Sequence, residues 1–176
     1  MADRSTDRQR LSNRLFAIPA VAQAWAKLSA RRTNRTLDLD AIPFAALTKP
    51  LSQCRVALLT TGGVHLRAQS PFDMDDPDGD ATYREIPADA ETSQLMITHK
   101  YYDHTDADQD MNIVFPLDRF RELADWGVIG GMARRHFAFM GHIDGPRLSD
   151  LMTISAPEVA AKLRGDGTDF AFLTPA

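Results

Sequence analysis

Residues 55–63 read RVALLTTGG, and this stretch decides the fold. A short apolar run that ends in two glycines reads as a strand buried on both faces, running into a loop as parallel strands do. Working outward, HFAFM (136–140) lies in a Gly-bounded apolar segment, and TDFAFLTPA (168–176) reads as a further strand. QLMITH (94–99) is another short strand candidate, and MNIVFP (111–116) another apolar run. Helical patterns fall between them. LDRFRELADWG (117–127) places Leu117, Phe120, Leu123 and Ala124 on one face, opened by Pro116 and stopped by Gly127. Ser155 with Glu158 three residues later predicts a capping box for the helix PEVAAKLRG. Strand and helix in alternation predict an α/β fold, a three-layer and mainly parallel sheet with flanking helices. Its last strand reaches the C-terminus without a following helix.

The chain has 176 residues, 44% of them hydrophobic and 25% charged, which fits one globular domain and excludes wholesale disorder. A net charge of −4 excludes a general nucleic-acid binder. No run is long and apolar enough to span a bilayer, and MADRSTDRQRLSNR lacks the apolar core of a secretory signal, so a cytoplasmic protein off the membrane is expected. Charge is uneven. Residues 1–36 hold eight Lys/Arg against two Asp, and residues 73–110 hold twelve Asp/Glu against two Lys/Arg. Residues 1–36 read as a basic amphipathic helical segment (Leu11, Leu15, Ile18, Val21, Ala22 and Trp25 on its stripe) with a break near Pro19. Residues 37–176 form the α/β domain. The polar stretch 67–93 reads as a long loop, disordered or functional.

Chemistry is expected in loops at the carboxyl ends of parallel strands. His65 follows the first strand and His99 ends the second, with Asp103, His104, Asp108, Asp110 and Asn112 close behind. Imidazole and carboxylate together can shuttle protons or hold a divalent metal, so His65, His99 and Asp110 are candidates for either role. A purely structural role stays open beside them. His136 and His142 read as core or edge histidines. The single cysteine, Cys54, allows no internal disulfide and no Cys-x-x-Cys, and reads as a packed thiol. No Gly-x-Ser-x-Gly elbow or phosphate-binding lysine loop is present, and residues 73–80 lack EF-hand spacing.

The stretches RVALLTTGGVHLRAQSPFD, GDATYREIP, ITHKYYDHTDADQDMNIVFPLDRFRELADWGVIGG and HFAFMGHI occur in this order. In that combination residues 54–176 resemble the selenoprotein B family of glycine/sarcosine/betaine/D-proline reductases. The resemblance implies reductive cleavage of a C–N bond in a small amino acid or betaine-like substrate, with a dithiol/disulfide couple as electron donor. It implies a selenocysteine or cysteine nucleophile on the loop after a strand like DFAFLTP, which is expected beyond Ala176 in a full-length form. On that reading this chain holds no cofactor of its own and is inactive as it stands. The matched polar residues become pocket walls: Asp80, Arg84, Asp103 and Asn112 toward substrate, with His65, His99 and Asp110 as catalytic candidates. Arg84 would pair a substrate carboxylate, or form a salt bridge with a neighbouring aspartate. Expected partners are a carrier or pyruvoyl-bearing subunit and a thioredoxin-like donor, and homo-oligomerisation is left open. The alternatives are a redox-dead binding module of the same fold and a divalent-metal-binding protein using His65, His99 and Asp110.

Overall fold

The computed structural model describes Leu15 and residues 18–33 and 45–176. It divides into two units, one of Met1–Ala46 with Lys100–Asp103, the other of Leu47–His99 with His104–Ala176. In the first unit helix α1 (Pro19–Thr33) starts at the proline that marked the expected break, and the Trp25 ring stacks on Tyr101 at 6.2 Å. The rest of the basic segment, at 1–14, 16–17 and 34–36, lies outside the described residues.

The second unit is built on a mixed, mostly parallel sheet. Strand β1 (Arg55–Thr60) runs through its middle, and Val56, Ala57, Leu58 and Thr60 are all buried. Strand β2 (Val64–Leu66) and strand β4 (Leu95–Ile97) pair antiparallel as a separate two-stranded ribbon. Strands β5 (Gly131–Met132) and β6 (Arg135–Phe139) succeed one another along one side of β1, both parallel to it. Strand β7 (Phe170–Thr174) is parallel to β1 on its other side, with Leu58 opposite Phe172. Strand β3 (Tyr83–Pro87) adds an antiparallel edge to β6. Between β5 and β6 the ladder slips, and the Leu58 N–H donates instead to Nδ1 of the buried His136, at 3.0 Å.

Helices α2 (Thr105–Gln109) and α3 (Leu117–Asp125) precede β5. Helix α4 (Gly145–Asp150) passes through a π-helical turn (Leu151–Ser155) into α5 (Ala156–Gly165). One face of the sheet packs on α5, where Phe137, Phe139 and Val159 form a cluster with Leu59, Tyr83, Leu151 and Leu163. The opposite face carries α3, whose Phe120 ring lies 4.9 Å from Phe172. Each fully buried side chain here contributes roughly 1.5–3 kcal/mol.

Three expectations differ from the structure. YREIP, read as loop, is β3; its alternation of polar and apolar residues suits an edge strand. The apolar run MNIVFP is buried only in part: Met111–Ile113 is a 3-10 turn, with Ile113 exposed and Phe115 buried. Ser155 caps nothing, because the helical backbone runs into it from α4, and Glu158 accepts instead from the Tyr83 hydroxyl. Residues 73–80 are folded by their own side chains. Asp73 Oδ1 accepts from Asp75 N and Asp76 N, Asp76 Oδ1 from Asp78 N, and Gly79 bridges to Ile143.

Candidate functional site

The carboxyl ends of β1, β6 and β7 meet at one edge of the sheet. Thr61 N donates to Thr174 O at 3.1 Å, and Ala176 N to Thr61 Oγ1 at 3.2 Å. Gly62 bridges to Met140, and Gly63 N donates to Phe139 O. His99 arrives from the exit of β4, anchored through Thr98 N to Gly63 O at 2.9 Å. Here the chain just past β6 runs so close that a methyl placed on Gly141 would lie 2.9 Å from Thr61 O, 3.2 Å from His99 Nε2 and 3.4 Å from Ala176 O. A glycine at 141 therefore lets one imidazole nitrogen sit against three strand ends.

His99 is 3% exposed. Burial first, then the nearby His104 and His142, lower its pKa to about 4, so the ring is neutral at pH 7. His142 Nε2 donates to Pro77 O at 2.9 Å, and His104 Nδ1 pairs with the Asp108 carboxylate at 2.7 Å. Three histidines thus share this edge. His142 was legible in sequence as a residue just past a strand, but its proximity to His99 depends on the pairing of β6 with β1, which no local pattern reports.

The other singled-out residues lie in their own settings. His65, 1% exposed, has Nδ1 2.8 Å from Leu66 O and Nε2 2.8 Å from Thr98 Oγ1, so its ring braces β2 against the exit of β4. Arg84 donates to Ser70 O, Pro71 O, Tyr83 O and Thr82 Oγ1, lies 3.8 Å from Asp80, and its guanidinium stacks 4.3 Å above the Phe72 ring. Asp80 accepts from Asp73 N and from the backbone and hydroxyl of Thr82. Asp110 accepts from both nitrogens of Asn112, and Asn112 exchanges bonds with Asp118, which Arg121 joins to Ala88 O and Ala90 O. Asp103 is exposed and belongs to the first unit. Among the described residues no group of three or more His, Cys, Asp or Glu is placed to hold a metal ion, so His65, His99 and Asp110 do not form the metal site considered from the sequence.

The description "Glycine/sarcosine/betaine reductase selenoprotein B" belongs to the family model that matches residues 26–176. The chain belongs to this selenoprotein B family. It is 37% identical to the D-proline reductase subunit gamma of Acetoanaerobium sticklandii over 128 residues, which is 73% of this chain and 51% of that protein. It is 30% identical to the glycine reductase complex component B subunit gamma of Symbiobacterium thermophilum over 152 residues, 78% of this chain and 32% of that one. It therefore spans about half of the first relative's length and a third of the second's. No solved structure matches. In this chain Cys54 is fully buried, its Sγ 3.4 Å from Pro50 O, just ahead of β1. The six-residue strand separates it from the His99 edge by about 20 Å. Among the described residues no helix is long and apolar enough to cross a membrane.

Proposed function

We propose that this chain supplies the substrate-facing edge of a reductase that cleaves a C–N bond in a small amino acid or betaine-like molecule, with His99 handling the proton. The observation that carries this reading is the neutral, buried His99 ring beside the converged ends of β1, β6 and β7. The reaction breaks one C–N bond and forms one C–H bond. A dithiol gives two electrons and two protons and becomes a disulfide; one proton goes to the carbon and the other to the freed nitrogen, which departs as an amine or, in a cyclic substrate, stays attached after ring opening.

The nucleophilic selenocysteine or cysteine that the family implies is not Cys54, which lies at the far end of β1; we place it on a segment or subunit other than residues 1–176. Such a group supplies a selenolate or thiolate at neutral pH. An anion beside His99 Nε2 raises the ring's pKa and gives it a proton to hold for the departing amine. His65, Asp110, Asn112, Asp80 and Arg84 serve this edge as positioning residues, fixing the loops around it. The names of the two relatives, each a gamma subunit, support partner subunits, which we take to be a carrier or pyruvoyl-bearing subunit and a thioredoxin-like donor.

The test is dithiol-dependent C–N cleavage by the assembled reductase, read as free amine from glycine, sarcosine and betaine and as the ring-opened amino acid from D-proline. At least one substrate should be turned over, and His99→Gln should lower kcat by about 100-fold with a smaller change in KM. An unchanged kcat would remove His99 from the chemistry, and no C–N cleavage of any of the four would remove the reductase reading.

A further inference from the structure

Strand β7 lies beside β1 at the rim of the sheet, and among the described residues its other side pairs with nothing. Thr61 N donates to Thr174 O, which turns the Thr174 backbone toward β1. Backbone groups alternate sides along a strand, so Phe170 and Phe172 also face β1, and the N–H and C=O groups of Ala171 and Leu173 face outward.

The composition of β7 is that of an inner strand. Phe170 to Leu173 are apolar in unbroken succession, the pattern of strands covered on both faces. Yet Phe172 is 41% exposed and Leu173 66%. Phe172 leans toward α3, against the Phe120 ring. Leu173 stands in register with Leu59, which packs with the α5 cluster, so it points to the opposite face. Each helix covers its side of β7 only in part. The usual guards of an open edge are also missing: the strand holds no charge and no proline, and its register with β1 runs without a bulge.

We propose that β7 pairs antiparallel with β7 of a second copy of this chain, about a two-fold axis that passes beside Phe172 perpendicular to the sheet. The edge is complementary to itself. With Phe172 opposite the partner's Phe172, Ala171 falls opposite the partner's Leu173, and these two residues exchange both of their N–H···O bonds. The two-fold repeats that exchange on the other side of the axis. On one face the large Leu173 meets the small Ala171 of the partner subunit. On the other the two Phe172 rings meet and extend the Phe120–Phe172 contact across the axis. Charge does not oppose the pairing, because Asp169 is held by Lys49 at 2.8 Å and by Arg55 N at 2.6 Å. Pro175, opposite the partner's Asp169, has no N–H and ends the ladder. The two sheets become one, with α3 on one face and α5 on the other in both copies, and β7 becomes the inner strand that its sequence describes. A foreign strand would meet the same backbone groups without this matched order of large and small side chains.

One strand pair with its flanking side chains buries less than a standard interface, so a weak dimer is expected, with a Kd of about 10–100 µM. Sedimentation equilibrium of the 176-residue chain over about 1–500 µM should show a reversible monomer–dimer equilibrium. Amide exchange at Ala171 and Leu173 should slow as the concentration rises. Ala171→Pro removes an outward donor from each copy and leaves the bonds to β1 in place, so it should weaken the dimer about ten-fold or more. Leu173→Lys, at a side chain already exposed, should weaken it as well without lowering the unfolding temperature of the monomer. A monomer at every concentration, an open-ended polymer, or a dimer that either variant leaves unchanged would overturn the proposal.

Discussion

Lowering the pH from 7 to 4 is expected to remove several kcal/mol from the stability of the domain, and His99 and His136 carry most of that loss, with a further share from the buried His65. The His136 ring is fully buried, and its Nδ1 accepts from Leu58 N at 3.0 Å, so the ring must be neutral there. A proton on Nδ1 would set one donor against another. Burial, then the charge of Arg121, lowers its pKa to about 4, and His99 stands at about 4 as well. Both values lie below the ordinary 6.5, so the unfolded chain takes up the protons first. Stability is full above pH 6.5 and falls by about 1.4 kcal/mol per pH unit for each histidine, until pH reaches about 4. That amounts to about 3 kcal/mol each. Carboxylates held low by ion pairs, Asp166 by Arg135 first and also by Arg134, lose their contribution only as pH falls below the ordinary carboxylate range. The window from 6.5 to about 4 thus belongs to the histidines. Urea unfolding at pH 7, 6 and 5 measures the slope. His136→Leu should remove its own share of the slope, leaving those of His99 and of His65, whose burial also lowers its pKa, and should cost about 1–3 kcal/mol at pH 7 by leaving Leu58 N–H without its acceptor. A stability that does not change between pH 7 and 5 would contradict the neutral burial of both rings.

Gly79→Ala is expected to cost about 3 kcal/mol or more and to release the acidic loop from His142 and Ile143, just past β6. Gly79 has φ +83, a conformation an alanine adopts only under strain, and a methyl there would fall 1.8 Å from His142 O. Backbone lies on both sides of that clash, so relieving it means breaking the Gly79–Ile143 bridge and moving Pro77 away from His142. Gly127→Ala is the matched comparison. It has φ +70 just past the end of α3, with nothing within 4 Å of its Cβ position, so it should cost only the left-handed backbone, about 1 kcal/mol. Chemical unfolding of the two variants separates strain from collision. Equal losses would mean that the loop does not pack on His142 and Ile143 as described.

What the sequence made legible follows from where the information is local. Val56–Leu58 and Phe137–Phe139 are buried by layers on both faces of the sheet, so their apolar runs stand out without any knowledge of their partners. The face of α3 showed for the same reason, through the spacing of Leu117 and Phe120. The edge strand β3 did not, because Tyr83, Arg84 and Glu85 are half-buried and their polar tips find partners far away in sequence, Glu85 with Arg135 and Lys162. Ser155 was misleading because a capping-box pattern says nothing about whether a helix already precedes it. At the site, His99 and the Thr61–Gly62 turn were legible as residues past strand ends. The company of His142 and Gly141 was not, since it depends on which strands pair. Arg84 was open between a substrate carboxylate and a neighbouring aspartate; four hydrogen bonds, the Phe72 ring and Asp80 at 3.8 Å occupy it.

The most direct measurement of the His99 edge is a ring-resonance NMR titration of the chain with glycine, sarcosine, betaine and D-proline. The expected result is that at least one of them shifts the His99 ring signals saturably while the braced rings of His65 and His136 stay in place. Saturable binding that leaves His99 unmoved, or no binding by any of the four, would contradict a substrate site at the carboxyl ends of β1, β6 and β7.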